Sequence, residues 1–314
     1  MAETATENTN LLAKGGGNAP AGGVTIQASV AASIAVRLLA AVALDKRLGL
    51  GAAKPTAIRF ETEVPVDDVL VETDSGGWVF IQSKNSLTGR FVLTSELGKT
   101  CDEFARLWLL TKGGQGERGW DRPLVGGKDA MLLAVGHETS GPIKVGLAKA
   151  LDAVRMQSTA TLTDAERKLL ASFKKLVRSA FDAHGAAADL DLEAILRFIH
   201  VIDYDFGGPQ RELAEDRLKG MLELPDEAPA AFKAIERDCQ NMMKERGRLD
   251  GESFRASLAA DGLLIKTAAK GLLETQAAIS ADTQAILVGQ REIARALSGA
   301  PAENSVVDDL SRPV

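Results

Sequence analysis

Glu63-Val-Pro-Val-Asp67-Asp68-Val-Leu-Val-Glu72-Thr-Asp-Ser-Gly-Gly77-Trp78-Val-Phe-Ile-Gln82-Ser-Lys84 is the stretch from which the fold is read. Val66 to Val71 and Trp78 to Ser83 are β-rich runs, and Asp74-Ser75-Gly76-Gly77 between them has the composition of a hairpin turn. Two acids then stand at the start of one strand, beside a Gln-x-Lys at the end of its neighbour. Side chains alternate between the faces of a strand, so Gln82 and Lys84 share a face and Ser83 takes the other. An antiparallel register can bring Asp67 or Asp68 next to both. Phosphodiester hydrolysis uses such a set of groups. Carboxylate and carbonyl oxygens hold a hard divalent cation that polarises a phosphoryl oxygen and lowers the pKa of water, while a lysine orients that water and offsets developing charge.

Outward from the hairpin, Ile26 to Leu48 reads as a helix whose Val30, Ile34, Leu38 and Val42 form one apolar stripe. Further strands are expected around 57–60 and over Asp129–Val135, the latter a buried run ending in Gly136-His137. Ser95 caps an expected helix to Thr111 that carries Phe104 and Trp108 as core anchors. Gly113 to Gly127 reads as a polar loop with Trp120 exposed, and Pro142 to Ala153 as a helix. The expected fold class is α/β, a short mixed sheet flanked by helices, followed by an α-helical region.

The Asp…Gln-x-Lys pattern resembles the PD-(D/E)xK nuclease core in its Mrr-like variant, where Gln replaces the second acid. More narrowly, it is similar to the double-stranded-DNA endonuclease domain at the N-terminus of bacterial antiphage effectors, including SAVED effectors and STAND-type NTPases. Gly22-Gly23-Val-Thr-Ile-Gln27 before an apolar helix and Phe104-Ala-Arg-Leu-Trp108 after the Gln-x-Lys strand extend the likeness over roughly residues 22 to 155. The resemblance implies a restriction-endonuclease-like core that cuts duplex DNA with Mg²⁺ or Mn²⁺, in antiphage defence. It implies that Asp68 with Gln82 binds the cation, that Lys84 orients the attacking water, and that Gln27 supports the site. Asp67 and Asp68 both stay open as the cation-binding carboxylate, with Asp68 next to the apolar run and Asp67 and Glu63 as helpers. Replacing the second acid by Gln removes a charge and weakens the expected cation affinity.

Composition is that of a globular protein, 45% apolar and 25% charged over 314 residues, which is long for one core. The formal charge of -6 argues against binding nucleic acid through bulk attraction. Between Lys84 and Lys128, however, eight basic residues face five acidic ones, and Arg90, Lys99 and Arg106 in that span are the expected DNA contacts. No apolar run approaches a membrane span and Met1–Glu7 lacks the features of a secretory leader, so the expected compartment is the cytoplasm. Cys101 and Cys239 are too far apart in sequence to suggest a disulfide framework or a zinc site.

Four segments are expected: a disordered 1–22, a nuclease-like domain over 23–157, a mainly helical partner or sensor region over 158–300, and a flexible tail over 301–314. Thr163-Asp-Ala-Glu166 fits a capping box, and Phe198-Ile-His-Val-Ile-Asp-Tyr-Asp-Phe206 a half-buried strand rather than a metal site at His200, Asp203 and Asp205. Helices are expected over 210–224, 228–246 and 251–260. Leu272, Ile279, Ile286 and Ile293 recur every seven residues while Thr275, Asp282 and Gly289 between them are weak, a thin seam that suits a homo-oligomer or one partner protein. The competing expectation is a non-catalytic assembly module with a nuclease-like fold.

Overall fold

The hairpin expected from the sequence lies at the centre of the sheet. The computed structural model describes residues 21–60, 63–66, 68–188, 190–204 and 208–266, and those up to Ile265 belong to one unit. β2 (Val69–Thr73) and β3 (Trp78–Lys84) pair antiparallel, with Val69 opposite Ile81 and Glu72 opposite Trp78. Thr73 ties the turn, since its hydroxyl and its backbone N–H both donate to the Gly77 carbonyl. Gly76 has φ +70°, and a Cβ on Gly77 would stand 2.0 Å from the Lys128 carbonyl oxygen, so both positions need glycine.

β1 (Pro55–Phe60), β4 (Ala130–Val135), β5 (Ile199–Asp203) and β6 (Arg248–Asp250) complete a six-stranded mixed sheet in the order β5-β4-β3-β2-β1-β6. β4 runs parallel to β3 and to β5, and the remaining pairs are antiparallel. Both faces of the inner strands are covered, which is why β4 reads as an unbroken apolar run. On one face Ile58, Val69, Val79, Ile81 and Leu132 pack with α1 (Ala21–Leu39), α6 (Pro209–Met221), α7 (Ala228–Glu245) and α8 (Gly251–Ala260). On the other, Leu70, Phe80, Met131, Leu133 and Val201 pack with α2 (Glu96–Gly113), α3 (Ala148–Arg155), α4 (Asp164–Asp182) and α5 (Leu192–Phe198). A π-helical turn, Pro142–Leu147, leads into α3.

Three expectations change. The first helix stops at Leu39 rather than Leu48. Ala41 takes φ +50°, the Arg37 guanidinium donates to the Ala43 carbonyl, and Asp45 caps a separate 3-10 turn, Lys46–Leu48, closed by Gly49 at φ +67°. Trp120 is buried, not exposed: its loop folds back on Asp121, which accepts the Arg118 N–H, and the Arg118 guanidinium lies 5.9 Å from the indole centroid. The sheet also does not end near residue 157, because β5 and β6 both join it and α6 to α8 share the α1 core. Asp67, Asp205, residues 1–20 and the seam at Leu272, Ile279, Ile286 and Ile293 lie outside the described residues. No helix among the described residues is long and apolar enough to cross a membrane.

Phe232 on α7 is fully buried in the α1-side core, while all three tryptophans lie between residues 78 and 120. We therefore expect Phe232→Ala to lower stability by about 3–5 kcal/mol. Tryptophan fluorescence and far-UV circular dichroism should report one coincident denaturant transition, shifted equally. A fluorescence midpoint unmoved by the substitution would show that the two halves unfold separately.

Candidate functional site

The ladder of β2 stops at Val69, and the register continued by one residue sets Asp68 opposite Gln82. At that point a side chain takes over from the backbone. Asp68 Oδ2 accepts the Ser83 N–H at 2.6 Å, and Asp68 Oδ1 accepts Gln27 Nε2 at 2.5 Å. Gln27 belongs to α1, so one 7% exposed carboxylate joins the end of β3 to the helix that packs across the sheet. Short hydrogen bonds to an ionised acceptor are the strong ones, and removing the carboxylate leaves two donors without a partner.

Gln82 has the parity of Phe80, which faces the α2 side, and is 4% exposed. Its Oε1 is buried and accepts no hydrogen bond. An unpaired buried carbonyl oxygen costs about 1–3 kcal/mol, so Gln82 is a poor choice for folding alone. Lys84, the last residue of β3, lies two residues further along the same face. Its Nζ stands 3.4 Å from Glu96 Oε2, at the first position of α2. Glu96 also holds Lys99 at 2.6 Å, and Lys99 followed by Lys84 lowers its carboxyl below the ordinary value. Ser95 places that carboxylate by capping α2 through the Gly98 N–H.

Asp68, Gln82, Lys84 and Gln27 are thus gathered around the end of β3. Glu63 is not among them: it is exposed and pairs with Arg118 at 3.3 Å. Of the expected DNA contacts, Arg90 is exposed, Lys99 is paired with Glu96, and Arg106 is half-buried against Asp102 at 3.1 Å, an acid shared with His184. Glu96 is the site residue that the sequence reading missed. Its signal was its place in the first turn of a capped helix directly after the Gln-x-Lys strand.

The donor set suits a hard cation in kind. A buried carboxylate, Asp68, stands beside an amide oxygen, Gln82 Oε1, that has both lone pairs unused. No group of three or more His, Cys, Asp or Glu that could hold a metal occurs among the described residues.

His137 directly follows Gly136, whose N–H donates to the Lys84 carbonyl. His137 is exposed, with Glu138 at 3.9 Å. His200 is buried in β5, and its Nδ1 lies 3.1 Å from the Arg47 carbonyl; an oxygen that only accepts fixes the proton on Nδ1. Burial, with the Arg155 charge second, pushes His200 down to about 3.

Against models of known protein families, curated proteins and solved structures, the chain finds no match.

Two outcomes follow from these environments. Gln82→Met replaces an unpaired oxygen by an apolar group of similar length, and we expect a gain of about 1–3 kcal/mol in denaturant unfolding. A loss would show that the Gln82 amide supports the fold. His200 binds its proton less well folded than unfolded, so its contribution lowers stability as pH falls below 6.5 towards 3, by up to about 1.4 kcal/mol per unit. His200→Gln should flatten the pH 4–6.5 limb of the stability profile by that slope, and an unchanged limb would contradict a neutral His200.

Proposed function

We propose that this chain is a divalent-cation-dependent endonuclease of duplex DNA, built on a restriction-endonuclease-like core. The observation that carries the reading is the buried, unpaired Gln82 Oε1 placed opposite Asp68 at the end of β3. The order of elements supports it: a helix bearing Gln27, a hairpin bearing Asp68 and Gln82-x-Lys84, then a capped helix. The residues that carry the resemblance follow that same order.

Asp68 and Gln82 would hold Mg²⁺ or Mn²⁺, with Asp67 as a helper. The cation, when bound, supplies Lewis-acid polarisation of a phosphoryl oxygen. The chain's own residues do the rest. The Ser83 N–H and Gln27 fix the Asp68 carboxylate in one orientation, so little reorganisation is needed as charge develops. Lys84, alternating to the same face as Gln82, orients the attacking water and places an ammonium where negative charge accumulates on the phosphate. Glu96 holds that ammonium in position. Arg90, exposed in the segment before α2, is the best placed of the expected backbone contacts. A role in antiphage defence rests on the resemblance alone.

The test is nicking and linearisation of supercoiled plasmid in Mg²⁺ and in Mn²⁺. Lys84→Ala and Asp68→Ala should each reduce cleavage on the order of 100-fold or more, with circular dichroism confirming that each variant folds. EDTA should abolish the wild-type reaction. Cleavage that survives EDTA, or that both variants keep, would overturn the assignment, and no cleavage by folded wild type would favour the non-catalytic assembly module.

A further inference from the structure

A second site lies at the opposite ends of the parallel strands. Val79 is paired with Ala130 and Lys84 with Val135, so the residues that enter β4 and β5 sit at the pole away from Lys84. There a cavity of about 320 Å³ opens between the 3-10 turn at Leu48, the Gly126-Gly127 turn before β4, and the α5–β5 junction at Phe198 and His200. That volume is at the small end of pockets that take a compact organic molecule, and far below what a duplex needs.

The charges around it do not cancel. The Asp129 carboxylate is fully buried and satisfied by Arg122 at 2.7 Å and by the Trp78 and Val125 N–H groups. Arg155 is held by Asp152 and by the Ile199 carbonyl. Arg197 is exposed and makes no hydrogen bond or ion pair among the described residues, which leaves one unmatched positive charge at the cavity wall. His200 adds the opposite polarity. Its Nδ1–H is spent on the Arg47 carbonyl, so Nε2 carries a lone pair and has no partner. The low pKa of His200 keeps that ring neutral and accepting through the physiological range. Leu48 and Phe198 supply apolar wall.

We propose that this cavity binds a small aromatic anion, a carboxylate or a phosphate, whose ring system bears an N–H donor. The ring lies on Leu48 and Phe198, the donor meets His200 Nε2, and the anion meets Arg197. This assignment uses none of the residues at the Asp68 pole and stands whether or not the chain cuts DNA.

The full chain is titrated by calorimetry and amide NMR with two probes, indole-3-acetate for the carboxylate and adenosine 5′-monophosphate for the phosphate, with the cation tryptamine as control. At least one anion should bind saturably at one site with a Kd below about 1 mM, and whichever binds tighter names the anion. Tryptamine should bind the wild type, and the tighter anion should bind the Arg197→Ala variant, about tenfold or more weakly. Gly126→Leu should abolish it by filling the space, with the thermal midpoint unchanged, because a Cβ there meets nothing within 4 Å. Failure of both anions to saturate, or binding that either variant leaves unchanged, overturns the proposal.

Discussion

The hydrogen bond from the Ser83 N–H to Asp68 is the constraint on which the rest is hung. β2 must begin at Val69 and no earlier, because a backbone carbonyl extending the ladder before it would occupy the place that the carboxylate now takes. Once the carboxylate is there, its second oxygen needs a donor, and Gln27 on α1 provides it. The small residues Ala28, Ala31, Ala32 and Ala35, all fully buried, let α1 lie close enough to the sheet for that contact. One acidic residue therefore sets the strand end, the helix position and the orientation of the groups beside it.

The energetic pattern around this constraint is uneven, and the unevenness has meaning. Asp68 is served by donors from two elements, while Gln82 Oε1 and Ser83 Oγ next to it are buried with none. Networks are usually either satisfied throughout or replaced by apolar groups. A satisfied carboxylate beside an unsatisfied amide oxygen is the arrangement expected when a further electropositive group completes the set. The Lys84–Glu96 pair belongs to the same picture, since it holds the one ammonium of the motif at the strand end without burying it.

Much of this could be read from local signals. The hairpin, the shared face of Gln82 and Lys84, the Ser95 cap, the capping box at Thr163 and Glu166, and the β4 run all depend on residues a few positions apart. What escaped depends on distant partners. β6 is three residues, Arg248-Leu-Asp250, with no apolar alternation, and becomes a strand because the edge of β1 is there to pair with. Trp120 sits in a glycine-rich polar loop, and its burial follows from packing against a core that the loop itself does not encode. The domain boundary expected after 157 failed to anticipate that the second half returns strands to both outer edges of the first sheet.

The central claim is that Asp68 and Gln82 together hold a divalent cation, and manganese reports on this directly because it broadens only the signals near it. In amide spectra of the chain labelled with ¹⁵N-glutamine, substoichiometric Mn²⁺ should broaden the side-chain signals of Gln82 and Gln27 first. The signals of glutamines remote from β3, such as Gln157, should stay sharp. Even broadening across all glutamines, or none at Gln82, would contradict the account.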